Sequence, residues 1–218
     1  MARAAIERRH KVLAITDHSQ SLGVTGGLTP ERLKQQRKEI DAVQKKLGSK
    51  LKLLQGAEVE IRADGALDYD DDVLAALDIV VASLHTSLRQ DRARITARLL
   101  SAVRHPHVDI IGHPTGQLIG EREAADLDME AVLTAAAESG VALEINANPS
   151  RLDLNDGYAR RALELGCLLS INTDAHHAGQ FDLMEYGVAT ARRGWVTADR
   201  VINTWETAKL EKWLAARG

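Results

Sequence analysis

Several short apolar runs in this chain end in a histidine, a carboxylate or a carboxamide. His18 follows the run 12–15, His85 follows DIVVASL at 78–84, and His113 follows 108–112. The series Glu144, Asn146 and Asn148 lies in and after VALEINA at 141–147, and Asp174 and His176 follow LLSI at 168–171. Glu58 sits in the same relation to the run that begins at Leu51. His18, Glu58, His85, His113, Asp174 and His176 offer the nitrogen and oxygen donors that divalent transition metals favour. A single D-x-H is most simply a capped turn, and a lone His at a strand end is more often a hydrogen-bonded structural residue. Recurrence at the same end of five strands is not expected of independent structural uses, so the residues read together as a metal centre. A donor set rich in His suits Zn²⁺, Mn²⁺ or Fe²⁺ better than Mg²⁺ or Ca²⁺, and the number of donors implies more than one ion. Two close ions activate water and neutralise charge on a phosphoryl group. Arg151, just beyond a strand end, is a candidate bidentate phosphate contact, with a solvated surface arginine the equally good reading.

The elements that must position these groups follow from periodicity. Residues 1–9 look like the end of a helix, and 12–15 is the first strand. A Gly-rich loop with Gly23, Gly26 and Gly27 leads to an N-cap at Thr29, Pro30 in the first turn, and a long helix carrying Leu33, Ile40, Val43 and Leu47 that stops at Gly48. A strand is expected to run from 51–54 through Gly56 into 58–61, with Asp64-Gly65 as a hairpin turn before 66–69. Strands at 78–84, 108–111, 141–147 and 168–171 alternate with helices over 89–104, 127–139 and 158–165, and the last forty residues read as helix. His10, His105 and His107 precede their strands and belong to the opposite end. Six strands, nearly all followed by helices, make a parallel α/β barrel the leading class, with an open doubly wound sheet second. The phosphate-binding glycine loops of nucleotide folds are absent.

The chain has 218 residues, a size that fits one domain with a substantial core. Hydrophobic residues are 44% and aromatics only 3%, so the core is aliphatic and little surface exists for stacking bases. The net charge of −3 argues against a general polyanion binder. A lone Cys167 excludes an internal disulfide and suits a reducing compartment; no apolar run has signal or membrane-spanning character, so the expected location is cytoplasmic, without membrane association.

At these residues the sequence resembles the PHP (polymerase and histidinol phosphatase) superfamily. Thr16-Asp17-His18, Gly56-Ala57-Glu58, Ser83-Leu84-His85, Gly112-His113-Pro114 and Thr173-Asp174-Ala175-His176 match its motifs from the second onward, in order and spacing. The texture GHPTG, EINANPSRLDL, SINTDAH and MEYGVATARRGW is similar to the C-terminal PHP domain of bacterial family X DNA polymerases, over essentially the whole chain. The resemblance implies a distorted (β/α)7 TIM-like barrel with a cluster of two to three metal ions, Zn or Mn, and a phosphoesterase, in the polymerase setting a 3′–5′ exonuclease acting on DNA 3′ ends in repair. By motif, His18 and His176 hold one metal; Glu58, His85 and His113 hold a second, and Glu58 bridges to the metal bound by Asp174. Catalytic roles fall to Glu58, Asp174 and His176. Glu60 lies two residues past the motif position. The family's opening strand and H-x-H motif have no counterpart here, so residues 1–218 read as a single, N-terminally truncated PHP domain with its first strand missing, an impaired site and either a gap between the neighbouring strands or an exposed edge. A monomer is expected. The alternatives are a small-molecule phosphatase such as histidinol phosphatase, acting on small phosphate esters, and a non-catalytic module.

Overall fold

In the computed structural model, which describes residues 1–22 and 26–217, six strands form one parallel sheet in sequential order. They are β1 (Val12–His18), β2 (Lys52–Glu60), β3 (Ile79–Ser83), β4 (Ile110–Gly112), β5 (Ala142–Asn146) and β6 (Leu168–Asn172). The helices are α1 (Ala2–Glu7), α2 (Pro30–Leu47), α3 (Asp71–Leu74), α4 (Arg92–Val103), α5 (Met129–Ser139), α6 (Asp156–Leu165), α7 (Met184–Arg193) and α8 (Thr207–Ala215). Parallel neighbours require crossovers, and these helices supply them. The sheet is a distorted, open TIM-like barrel in which β1 and β6 are the two edges.

Alternation along the strands sorts their side chains onto two faces. Outward residues Ala57, Val59, Val80, Ala82, Ile111, Leu143, Ile145, Leu169 and Ile171 join the main core under the helices. Inward residues change character along each strand. At the N-terminal end Val12, Ala14, Leu54, Ile79, Val81, Ile110, Ala142 and Leu168 form an apolar floor, plugged by Ile202, Trp205, Leu210 and Trp213 from the C-terminal segment. Toward the C-terminal end the same face carries His18, Glu58, Glu60, Ser83, Glu144, Asn146 and Asn172. The floor excludes water from below, so the polar groups open only at the rim.

Caps follow the sequence closely. Thr29 accepts from Arg32 N at the start of α2, Asp91 caps α4, and Gly140 and Gly166 end α5 and α6 in the left-handed region. The run expected from 51–54 through Gly56 into 58–61 is one continuous β2, and a Cβ at Gly56 would meet Ile79 O at 2.6 Å. Asp64-Gly65 makes the expected tight turn, and the return pairs only briefly, through an antiparallel bridge between Ile61 and Leu67 flanked by Arg62 N donating to Ala66 O and Asp68 N donating to Glu60 O. Other expectations are corrected. The last forty residues contain two α-helices separated by short 3₁₀ turns, since Gly194 and Trp195 break the chain and Val201 bridges to Leu169. Val43 of α2 is exposed rather than packed. The expectation at Gly23 lies outside the described residues.

Among the described residues, both edges of the sheet are tied down by contacts other than a seventh strand. Asn203 reaches β6 with both ends of its carboxamide, accepting from Ile171 N at 2.7 Å and donating to Ile171 O at 2.8 Å, so it satisfies the edge as a strand would. Beyond β6, the turn Ala178–Leu183 inserts Phe181 beside Ala5 of α1 and Leu51 and Leu53 near the start of β2, and Asp182 pairs with Arg8 at 2.8 Å. The two edges of the sheet are thereby joined on the outer face through α1.

Candidate metal centre

The register of the sheet brings four side chains to one point. His18 on β1 pairs across with Glu58 on β2, and Ser83 on β3 is level with both Glu60 and Gly112. His85 and His113 then emerge just past β3 and β4. His113 Nε2 lies 2.8 Å from Glu58 Oε1, His85 Nε2 lies 3.1 Å from the same oxygen, and His18 Nδ1 lies 3.4 Å from Oε2. The three rings stack edge to face, with centroids 5.1 Å apart between His18 and His85 and 5.0 Å between His85 and His113. Gly112 is needed for this approach: a Cβ there would meet Ser83 Oγ at 2.4 Å.

The donor set fits a divalent transition metal. His18 Nδ1 and His85 Nε2 are buried and lack a hydrogen-bond partner, although both face Glu58. One donor atom each from His18, Glu58 and His85 lie within 4.8 Å of one another, close enough to share an ion. Buried imidazole nitrogens without partners are costly, and a metal is the usual way to satisfy several at once. The electrostatics agree. Burial opposes ionisation of Glu58, yet the imidazoles of His113 and His85 close against it hold its carboxyl well below the ordinary range. Burial lowers His18, with a smaller opposing effect from Glu58, while His85 is raised to about 9 because Glu58 and Glu60 outweigh its burial.

A second layer fixes these groups. Glu60, inward on β2, accepts from His85 N, pairs with His85 Nδ1 at 2.8 Å and meets Arg98 of α4 at 3.1 Å, both ends of that ion pair being almost fully buried. A carboxylate on Nδ1 leaves Nε2 free to coordinate. On the other flank Glu144 accepts from His113 N at 2.7 Å, from Asn172 Nδ2 at 2.9 Å and from Asn146 Nδ2 at 3.2 Å, and burial raises its carboxyl to about 7. Asp153 holds the turn after His113 by accepting from Thr115 N, Thr115 Oγ1 and Gly116 N.

The expected residues divide. His18, Glu58, His85 and His113 come together. Asp174 stands in the left-handed region at φ 51°, within electrostatic reach of His18. His176 does not join them: its side chain is 70% exposed, and Nδ1 rests 2.9 Å from Asp174 O in its own loop. Arg151 lies in the turn after β5, with Nη1 buried and unpartnered. His105 pairs with Asp71 at 3.2 Å and packs against His107, apart from the cluster. Glu60, Arg98, Glu144 and Asp153 were not assigned roles from sequence. For Glu60 the signal was present, since E-V-E places both glutamates on one face of a strand.

No family model matches the chain. Among curated proteins it is 48% identical over 214 residues to the DNA polymerase/3′-5′ exonuclease PolX of Bacillus subtilis, covering 98% of this chain but only 37% of that protein. It is 31% identical over 225 residues to a probable phosphatase of Thermoanaerobacter sp. strain X514, covering 98% of this chain and 85% of the relative. Among solved structures, histidinol phosphate phosphatase of Lactococcus lactis, determined with zinc, L-histidinol and phosphate, superposes with a TM-score of 0.64 at 15% identity, over 90% of this chain and 86% of that one. A histidinol phosphatase structure from Listeria monocytogenes gives 0.59 at 16% identity, over 83% and 89%. With near-complete overlap at 31% identity to the phosphatase, a shared barrel and its strand-end motifs, the chain belongs to the PHP (polymerase and histidinol phosphatase) superfamily.

Proposed function

We propose that residues 1–218 form a PHP domain that hydrolyses phosphoester bonds with the help of divalent metal ions, acting on polynucleotide 3′ ends as a 3′–5′ exonuclease. The observation that carries the hydrolytic reading is the buried His18, Glu58, His85 and His113 cluster, with imidazole nitrogens left unsatisfied at the rim of the barrel. These four residues would hold metal, and Asp174 and His176 would join them on an inward movement of the loop after β6, which leaves His176 exposed in this structure. Bound there, Zn²⁺ or Mn²⁺ would supply Lewis-acid stabilisation of the phosphoryl oxygens and lower the pKa of a bound water. Within the chain, Glu60 orients His85, Glu144 and Asp153 fix the backbone around His113, and the apolar floor keeps water from the back of the site. Arg151 would contact substrate phosphate.

The exonuclease assignment is supported by 48% identity to the Bacillus subtilis polymerase/exonuclease. A small phosphate ester is the second reading, favoured by the near full-length match to the probable phosphatase. Metal content per chain, measured with hydrolysis of a single-stranded oligonucleotide and of histidinol phosphate, tests both. Oligonucleotide hydrolysis that Glu58→Ala removes supports the first; preference for histidinol phosphate supports the second. Full metal loading with neither activity would sink both and favour a non-catalytic module.

A further inference from the structure

Two arginines, Arg122 and Arg151, stand on neighbouring loops of the rim, close enough for the charge of one to act on the other. The loop after β4 folds back on itself through the bridge between Leu118 and Arg122, and it is stitched to the turn after β5 by Ile119 N donating to Ser150 O at 2.7 Å and Gln117 Nε2 donating to Arg151 O at 2.7 Å. Arg122 clasps the carbonyl of Gly116 with Nε at 2.9 Å and Nη2 at 2.7 Å, and Nη1 has no hydrogen-bond partner among the described residues. Arg151 is part-buried, and its guanidinium has neither an ion pair nor a hydrogen bond among the described residues; Nη1 is fully buried in that state. Burial and then the charge of Arg151 push Arg122 below its ordinary pKa, against a smaller opposing effect of Glu121.

Two like charges, partly desolvated and held together by stitched loops, are unfavourable unless an anion joins them. A planar guanidinium with free N–H groups is the donor best matched to a phosphate. The pair also has a defined place. Gly116, which Arg122 grips, closes the tight turn that begins at His113, its N–H donating to His113 O at 2.9 Å. The pair therefore sits one turn along the rim from the cluster rather than on it.

We propose that Arg122 and Arg151 form an anion subsite for a second phosphate of the substrate, adjacent to the phosphate under attack. The assignment of that anion to substrate rests on the phosphoester reading above; the existence of the subsite does not. It favours a polynucleotide over a compound with one phosphate, and it makes Arg122 a substrate-positioning residue for which the sequence offered no signal.

The test is binding without turnover. In EDTA, inorganic phosphate, pyrophosphate and a 5′-phosphorylated thymidine dinucleotide are titrated onto the full chain by calorimetry and by thermal shift. The dinucleotide should bind more tightly than inorganic phosphate, and Arg151→Gln and Arg122→Gln should each weaken it about tenfold or more, the loss of a charge-assisted hydrogen bond. Without ligand, Arg151→Gln should leave the melting temperature unchanged or raised, since it removes an unpaired charge. Arg122→Lys, which keeps the charge but cannot clasp Gly116 in the same way, separates loop damage from lost anion contact. Equal dinucleotide affinity in wild type and Arg151→Gln, or no binding by wild type, overturns the subsite. Hydrolysis that persists beside that result leaves the phosphoesterase reading standing.

Discussion

The rim of the barrel has two halves that look alike in sequence and differ in space. On the β1 to β4 side, His18, Glu58, His85 and His113 converge within hydrogen-bonding range of one carboxylate. On the β5 to β6 side, Glu144 and Asn172 turn inward but are taken up by each other and by the backbone of His113, while His176 points to solvent. The difference follows from where each residue stands. His18 and Glu58 lie inside strands, where pleat alternation sets their direction, while His85 and His113, just past β3 and β4, are held inward by Glu60 and Glu144. Asp174 and His176 lie two and four residues past the end of β6, Asp174 in the left-handed region, and His176 rests only on its own loop. A donor inside a strand is pre-aimed, and a donor in a loop is aimed only by what holds it.

Removing the shared carboxylate should break the comparison most severely. Glu58→Ala is expected to strip metal from the β1 to β4 half and lower phosphoester hydrolysis by more than about 100-fold, since even an outer partner of a ligand costs 10–100-fold. Elemental analysis of the purified variant checks this, and unchanged metal content in Glu58→Ala, His85→Ala and His113→Ala alike would reject the cluster as the centre.

The next effect is on stability. Arg98 and Glu60 form an almost fully buried ion pair behind His85, so Arg98→Ala leaves the buried carboxylate with only His85 and Thr86 as partners and should cost about 3 kcal/mol in chemical denaturation. Replacing both by apolar residues should restore much of that stability while metal affinity stays low, because Glu60 also orients His85.

A smaller effect belongs to Asp109, just before β4, beside Val80 N and Arg217. Burial raises the Asp109 carboxyl to about 6, against the opposing Val80 N–H and Arg217. A folded-state pKa above the unfolded value means that this group's contribution is full below about pH 4 and is lost as pH rises through about 6. Asp109→Asn should therefore flatten the pH dependence of unfolding in that window by roughly 2–3 kcal/mol. Parallel profiles in both proteins would show that the group is not shifted.

The mildest change tests the weaker half of the rim. His176→Ala should lower metal content less than His113→Ala, because His176 is exposed and rests on its own loop. An equal loss from both would mean that the loop after β6 swings inward when metal binds.

Sequence alone determined the α/β class, the strand and helix order and the inward direction of the strand-borne donors. Period-two and period-3.6 patterns are local properties, and capping residues such as Thr29, Gly140 and Gly166 act within a turn of where they stand. The five strand-end motifs were legible for the same reason. Only tertiary structure decided which donors meet. The register between strands set Glu58 at the centre, packing of α4 brought Arg98 to Glu60 across 38 residues, and loop stitching placed Arg122 beside Arg151. It also decided how the sheet ends, with Asn203 standing in for a strand at β6 and Phe181 joining α1. Such contacts depend on crossover geometry and loop path, which no local pattern encodes.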